Sequence, residues 1–106
     1  VIPAMKEESF VNFGTAIYPA DILSHSYIGG SSANTNTTAY DPIFWFTHCQ
    51  LDHFWWQWQN LKNNYTAPDS VLNSKLTPFI SIDHEQKTFL TSKDVMNTES
   101  LGYTYE

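Results

Sequence analysis

The clearest pattern in the chain lies between Asp41 and Leu61, where apolar residues recur at intervals of three and four. This spacing is typical of a helix with one wide apolar face. Asp41 is a good N-cap because its carboxylate can accept a hydrogen bond from a backbone amide of the first turn. Pro42 suits the first helical position, which needs no amide donor. The pattern therefore predicts one helix from Asp41 to Leu61, with a stripe formed by Ile43, Phe44, Thr47, Leu51, Phe54, Trp55 and Trp58.

The aromatic side chains of this helix do not keep to the stripe. All four tryptophans of the chain lie in it, at positions Trp45, Trp55, Trp56 and Trp58. A helix with large aromatic side chains on more than one face is expected to be buried on several sides. Alternatively, part of it covers a partner or a pocket.

The residues before this helix predict shorter helical pieces. Residues 6–18 carry apolar positions suited to a short helix, which Pro19 interrupts. Pro19 can instead open a further helical segment that reaches about Ser26 and ends at Gly29-Gly30. Residues 31–40 are polar and predict a loop without core residues.

The residues after the long helix predict a loop-rich region. Turn signals stand at Asn63-Asn64 and Pro68-Asp69. Residues 70–106 predict loops with short helical or extended pieces, among them a strand at residues 87–91. Because no repeat and no linker divides the chain, we expect a mainly α fold in a single domain, residues 1–106.

Composition narrows the function classes. The 106 residues are 42% hydrophobic and 15% charged, which favours a folded chain with a modest core over disorder. A net charge of −6 with five Lys and Arg argues against nucleic acid as a partner. No apolar run has the length of a membrane span. A start at Val1 without a signal peptide indicates a processed product, and sequons at Asn36 and Asn64 favour secretion.

Two histidine–aspartate pairs carry the chemistry that the residues themselves suggest. Asp21 and His25 stand four apart, as do His48 and Asp52, so each pair shares one helix face. Asp52 can orient the His48 ring, as carboxylates do beside metal ligands, or the pair belongs to an ordinary buried helix. If the two segments face each other, the side chains form a mixed nitrogen and oxygen site. Such a site suits zinc, manganese or iron and can activate water.

The remaining histidines and the cysteine receive structural interpretations. His53 follows His48 by five residues and points elsewhere on the helix, so we expect a surface or packing histidine. Cys49 is the single cysteine, which excludes an internal disulfide and predicts a buried, inert thiol.

The stretch from Asp41 to Trp56 resembles the second copper-binding helix of the tyrosinase family. The family writes this helix as Asp-Pro-x-Phe-x-x-His-His-x-x-x-Asp-x-x-Trp. Thr47 stands in place of the first of the paired histidines. Six positions match the pattern, namely Asp41, Pro42, Phe44, His48, Asp52 and Trp55.

A second stretch, residues 21–30, resembles the family's upstream segment His-Asn-x-x-His-x-x-x-Gly-Gly. His25 and both glycines match it, whereas Asp21 replaces the first histidine and Ile22 replaces the asparagine. The C-terminal residues 101–105 resemble the Tyr-x-Tyr segment that closes the family's core domain. The resemblance thus covers about residues 21–105 and only the copper-B half of that core. The half with the three copper-A histidines is absent from this chain.

The resemblance implies a small helical half-domain with an altered copper site. It implies that His25 and His48 are copper ligands and that Asp21 occupies the third ligand position. It also implies that Asp52 holds His48 and that Phe44 packs beside the histidine rings.

The altered residues bear on activity. A carboxylate is a poorer ligand than imidazole for copper in the reduced state. Ile22 cannot help to place the water that takes a phenol proton, as the family's asparagine does. A coupled copper pair needs six histidines, whereas this chain has four, of which His53 and His84 have no family role. We therefore do not expect phenol oxidation by this chain alone.

Three functional hypotheses follow. The first is a tyrosinase-like, type-3 copper half-domain, a processed fragment or subunit. It would act as a polyphenol oxidase only beside a copper-A half chain or within a homo-oligomer. The second is a secreted, non-catalytic binding or bioactive protein that keeps the fold without metal. The third is a mononuclear metal-dependent hydrolase, with zinc on Asp21, His25 and His48.

Overall fold

The chain is mainly α-helical. A computed structural model describes residues 2–63, 65–76 and 91–106. The chain divides into two compact units, Val1–Thr66 and Ala67–Glu106. The described parts of both units contain helices and turns, which confirms the mainly α class. The single domain stays a prediction, and the strand predicted at residues 87–91 lies outside the described residues except for Thr91.

The first unit contains two long helices joined by tight turns. After a short helix α1 (Ile2–Met5) come α2 (Phe10–Ile28) and α3 (Pro42–Leu61). Two 3₁₀ turns, Gly30–Ala33 and Thr38–Tyr40, lie between α2 and α3. The predicted helix from Asp41 to Leu61 is thereby confirmed.

The start of α3 follows the predicted chemistry. The Asp41 carboxylate accepts a hydrogen bond from the Ile43 amide at 3.1 Å, and Pro42 occupies the first turn. The Ser31 hydroxyl donates to the second Asp41 oxygen at 3.2 Å. Asp41 therefore fixes the start of α3 and ties it to the 3₁₀ turn Gly30–Ala33.

The prediction that Pro19 interrupts the first helical region is wrong. Pro19 lies inside α2, which continues to Ile28. A proline at this position removes the amide that would bond the Thr15 carbonyl. Thr15 is exposed, so water can satisfy that carbonyl. The predicted end of the helix is confirmed, because Gly29 has φ 71° and donates its amide to the His25 carbonyl.

The core of the first unit lies where the beginning of α2 meets the end of α3. Trp58 and Ala4 are fully buried and Phe13 is 3% exposed. The Phe13 and Trp58 rings stack with centroids 4.8 Å apart, and the Trp58 indole donates to the Glu7 carbonyl at 2.8 Å. Trp55 stacks on Trp58 from the same helix with centroids 5.5 Å apart. Early α2 thus packs on late α3, which makes the two helices antiparallel.

Other large side chains of α3 remain at the surface. Trp45 is 62% exposed and Phe46 is 72% exposed, so the helix is not buried on all sides. Cys49 is also exposed, which contradicts the predicted buried thiol. Cys49 directly follows the half-buried His48. The buried residue of the same helix, Trp58, lies near the C-terminal end. No helix in the described ranges combines the length and the hydropathy that a membrane span requires.

The second unit is loop-rich, as the sequence predicts. Its described residues, 67–76 and 91–106, contain a short helix α4 (Asp69–Leu72) and two 3₁₀ turns, Ser92–Val95 and Glu99–Leu101. An isolated antiparallel bridge pairs Lys75 with Thr91.

Candidate metal centre

Three of the predicted site residues converge at the end of the helix pair opposite the Trp58 core. Asp21 and His25 lie one turn apart on α2, and His48 lies on α3. One donor atom from each of the three residues lies within 4.8 Å of the other two. The Asp21 Oδ1 atom is 3.4 Å from His25 Nε2 and 3.7 Å from His48 Nε2. The His25 and His48 rings lie close together, with centroids 5.7 Å apart.

The hydrogen bonds of His25 decide which of its ring nitrogens faces the group. His25 Nδ1 lies 3.0 Å from the Ser32 carbonyl oxygen and 3.1 Å from the Thr38 hydroxyl. A carbonyl oxygen only accepts, so Nδ1 carries the hydrogen and donates it. In the neutral ring, Nε2 then holds a lone pair directed at Asp21. This arrangement is the one that commonly orients a histidine towards a metal ion.

The facing atoms lack ordinary partners. Asp21 Oδ1 and His48 Nε2 are buried, and neither has a hydrogen-bond partner among the residues that the structure describes. Buried polar atoms are nearly always satisfied, because leaving one unpaired costs about 1–3 kcal/mol. The two orphaned atoms face each other, and either a proton that pairs Asp21 with a histidine or a cation held between the side chains would satisfy both. The arrangement therefore fits a cation.

The group opens into a cavity of about 540 Å³. Phe44 closes one side, with its ring centroid 4.2 Å from that of His48 and 6.0 Å from that of His25. The cavity is lined by Asp21, Ile22, His25, Ser26, Ser32, Ala33, Thr35, Thr38, Ala39, Phe44 and His48. All three donor residues thus line one cavity.

Two residues of the site were missed by the sequence analysis. Ser32 and Thr38 are buried and both contact His25, although residues 31–40 were predicted to hold no core residues. That prediction is wrong because both side chains are small and polar, and their burial follows from the hydrogen bonds with the ring. The Gly29-Gly30 pair, which lets the chain turn back over His25, is the signal that points to this loop.

The other predicted residues have different outcomes. His53 is partly buried with its ring 6.0 Å from that of Trp56, outside the group of three. The contact between Asp52 and His48 stays a prediction. His84 lies outside the described residues.

Fold and site together define a mainly helical chain with a cluster of two histidines and one carboxylate that could hold a metal ion. The family model for the common central domain of tyrosinase matches residues 7–61. This match covers more than half of the chain and includes all three donor residues. The chain belongs to the tyrosinase family, whose type-3 copper domains bind copper.

Curated relatives agree with this assignment. A tyrosinase of Podospora anserina is 33% identical over 93 residues, which cover 73% of this chain and 16% of the relative. A tyrosinase of Hahella sp. is 35% identical over 103 residues, covering 72% of the chain and 18% of the relative. A hemocyanin of Enteroctopus dofleini, described as units Oda to Odg, is 32% identical over 97% of the chain and 4% of its own length. The chain thus spans less than a fifth of each of these relatives. No solved structure matches it significantly.

The residues present fit a divalent copper ion in their donor chemistry. Imidazole nitrogen and carboxylate oxygen both bind Cu²⁺ and Zn²⁺. The orphaned Asp21 and His48 atoms supply the places where such an ion would be held.

Proposed function

We propose that this chain holds one copper ion on Asp21, His25 and His48 and contributes one half of a type-3 copper centre. The other half would come from another segment or another chain. The observation that carries this proposal is the convergence of three donor atoms within 4.8 Å in a member of the tyrosinase family.

The side chains around the donors have distinct tasks in this proposal. The Ser32 carbonyl and the Thr38 hydroxyl hold Nδ1–H of His25, so that Nε2 keeps its lone pair towards the ion. Phe44 packs against both rings and shields one side of the site from water. Asp21 supplies a negative charge that balances a divalent ion. Copper, when bound, supplies the redox chemistry that these side chains do not have.

The same residues explain why the chain alone would not oxidise phenols. A coupled copper pair requires two sets of ligands, whereas the described residues form one group of three. Ile22 lines the cavity where a proton acceptor would be useful, and its side chain cannot accept a proton. The proposal therefore assigns metal binding to this chain and phenol oxidation to an assembled centre.

We expect the purified, copper-loaded chain to form no colour from tyrosine above the level of a His48→Ala variant. The physical reason is that the oxidation removes two electrons, which a pair of copper ions can accept together and a single copper ion cannot. The measurement is absorbance of the coloured products under air, with metal content determined on the same samples. Colour formation by the wild-type chain that is lost in His48→Ala would contradict the proposal that the chain alone binds metal without oxidising phenols.

A further inference from the structure

Asp21 is the donor at the centre of the metal group. Its Oδ1 atom lies 3.4 Å from one imidazole nitrogen and 3.7 Å from the other, so it faces both histidines at once. The side chain is 25% exposed, but the Oδ1 atom itself is buried. Any ion held by both imidazoles therefore lies beside this carboxylate oxygen.

Among the described residues that line the cavity, none carries a fixed positive charge that would balance Asp21. These lining residues include no lysine and no arginine, and the neighbours of the donors are apolar or neutral, among them Ile22, Ala33, Ala39 and Phe44. The two histidines are the only titratable partners on this lining, and as ligands they are neutral. The bound cation itself would therefore balance the carboxylate.

Copper in its two oxidation states responds differently to such a donor. At equal distance, a unit negative charge attracts Cu²⁺ about twice as strongly as Cu⁺, because the Coulomb energy scales with the charge of the ion. Carboxylate oxygen suits harder, more highly charged ions, whereas soft ligands select Cu⁺. Both effects favour Cu²⁺ at the position facing Asp21.

We propose that Asp21 makes this centre discriminate between the oxidation states of copper, so that it retains Cu²⁺ and holds Cu⁺ weakly. The inference rests on the proposed function, in which the three residues hold copper. When an external reductant such as ascorbate gives one electron to Cu²⁺, the product Cu⁺ is held more weakly. No covalent bond of the protein changes.

The test is to measure the affinities for the two ions separately on the purified full chain. Cu²⁺ is titrated by calorimetry against glycine as a competing ligand. Cu⁺ is titrated without oxygen, with ascorbate present, against a coloured Cu⁺ chelator. The variants are Asp21→His, which restores a neutral nitrogen donor, and Asp21→Asn, which removes the charge with little change in shape. Circular dichroism checks that each variant keeps its helices.

We expect the ratio of Cu²⁺ affinity to Cu⁺ affinity to fall by about tenfold or more in Asp21→His, since the charge favours the divalent ion. Asp21→Asn is expected to lose mainly Cu²⁺ affinity. An unchanged ratio in both variants, with Cu²⁺ binding still abolished by His48→Ala, would overturn this inference and leave the proposed function standing. Failure of the wild-type chain to bind Cu²⁺ at all would overturn both.

Discussion

Replacing Trp58 with alanine is expected to lower the free energy of unfolding by about 3–5 kcal/mol, the usual cost of removing a buried aromatic side chain. Trp58 is fully buried, and its ring packs on Phe13, Trp55 and Tyr65. Its indole N–H also donates to the Glu7 carbonyl, which the variant leaves without that donor. Because small domains are stable by only about 5–15 kcal/mol, this one change removes a large share of the total.

Urea unfolding followed by circular dichroism measures this effect without depending on tryptophan fluorescence. Phe46→Ala is the matched control, since it removes an aromatic ring that is 72% exposed on the same helix. A change within about 1 kcal/mol is expected there. Trp58→Phe keeps a ring but loses the hydrogen bond to the Glu7 carbonyl, so its free energy of unfolding should lie between those of Trp58→Ala and Phe46→Ala. Equal losses in Trp58→Ala and Phe46→Ala would show that the core is elsewhere.

Adding Zn²⁺ at about one hundred times its dissociation constant is expected to stabilise the chain by about 2.7 kcal/mol, because the ion binds only the folded site. For a domain of this size that corresponds to a rise of about 10 °C or more in melting temperature. Zinc is the suitable probe since it undergoes no redox chemistry. His48→Ala should abolish the shift in melting temperature, because only two of the three donors then remain. Asp21→Ala should reduce it, because the carboxylate is lost.

Thr38→Val tests the hydrogen bonds behind His25 in the same experiment. It removes the hydroxyl that contacts His25 Nδ1 and leaves the Ser32 carbonyl in place. Loss of such a supporting bond typically lowers metal affinity by about 10–100-fold, so the thermal shift should become smaller without vanishing. His53→Ala is the control, because His53 lies outside the donor group. A shift that disappears in His53→Ala and persists in His48→Ala would place the metal elsewhere.

The parts of the fold that depend on local chemistry could be predicted from the sequence. The start of α3 follows from an aspartate cap and a proline, and its length follows from apolar spacing. The end of α2 follows from Gly29, which adopts a positive φ. These signals act within a few residues, so the sequence around them is sufficient.

The errors concern features that depend on contacts between distant residues. Pro19 remains inside α2 because the helix is long enough, with Phe13 packed on Trp58, to tolerate one lost hydrogen bond. The sequence predicts a polar loop at residues 31–40. Thr38 is nevertheless buried, and its hydroxyl forms a hydrogen bond with His25, which precedes it by thirteen positions. The Ser32 group that orients His25 is a backbone carbonyl, which no side-chain pattern can mark.

The candidate site likewise combines features that local sequence predicts with features that depend on contacts between distant residues. Spacing of four placed Asp21 beside His25 and His48 beside Asp52, and the family resemblance implied that His25, His48 and Asp21 share one site. What the sequence did not reveal is that Asp21 Oδ1 and His48 Nε2 are buried without a hydrogen-bond partner in the described part of the chain. That observation turns a set of aligned residues into a specific metal-binding proposal.

The most direct test of the central claim is the electron paramagnetic resonance spectrum of the Cu²⁺-loaded chain, recorded together with its copper content. Our account predicts one copper ion per chain. It also predicts the signal of an isolated Cu²⁺ coupled to two imidazole nitrogens, a coupling lost when both His25 and His48 are changed to alanine and kept in His53→Ala. An unchanged nitrogen coupling in the His25 and His48 double variant, or a silent, coupled pair of ions in the single chain, would contradict it.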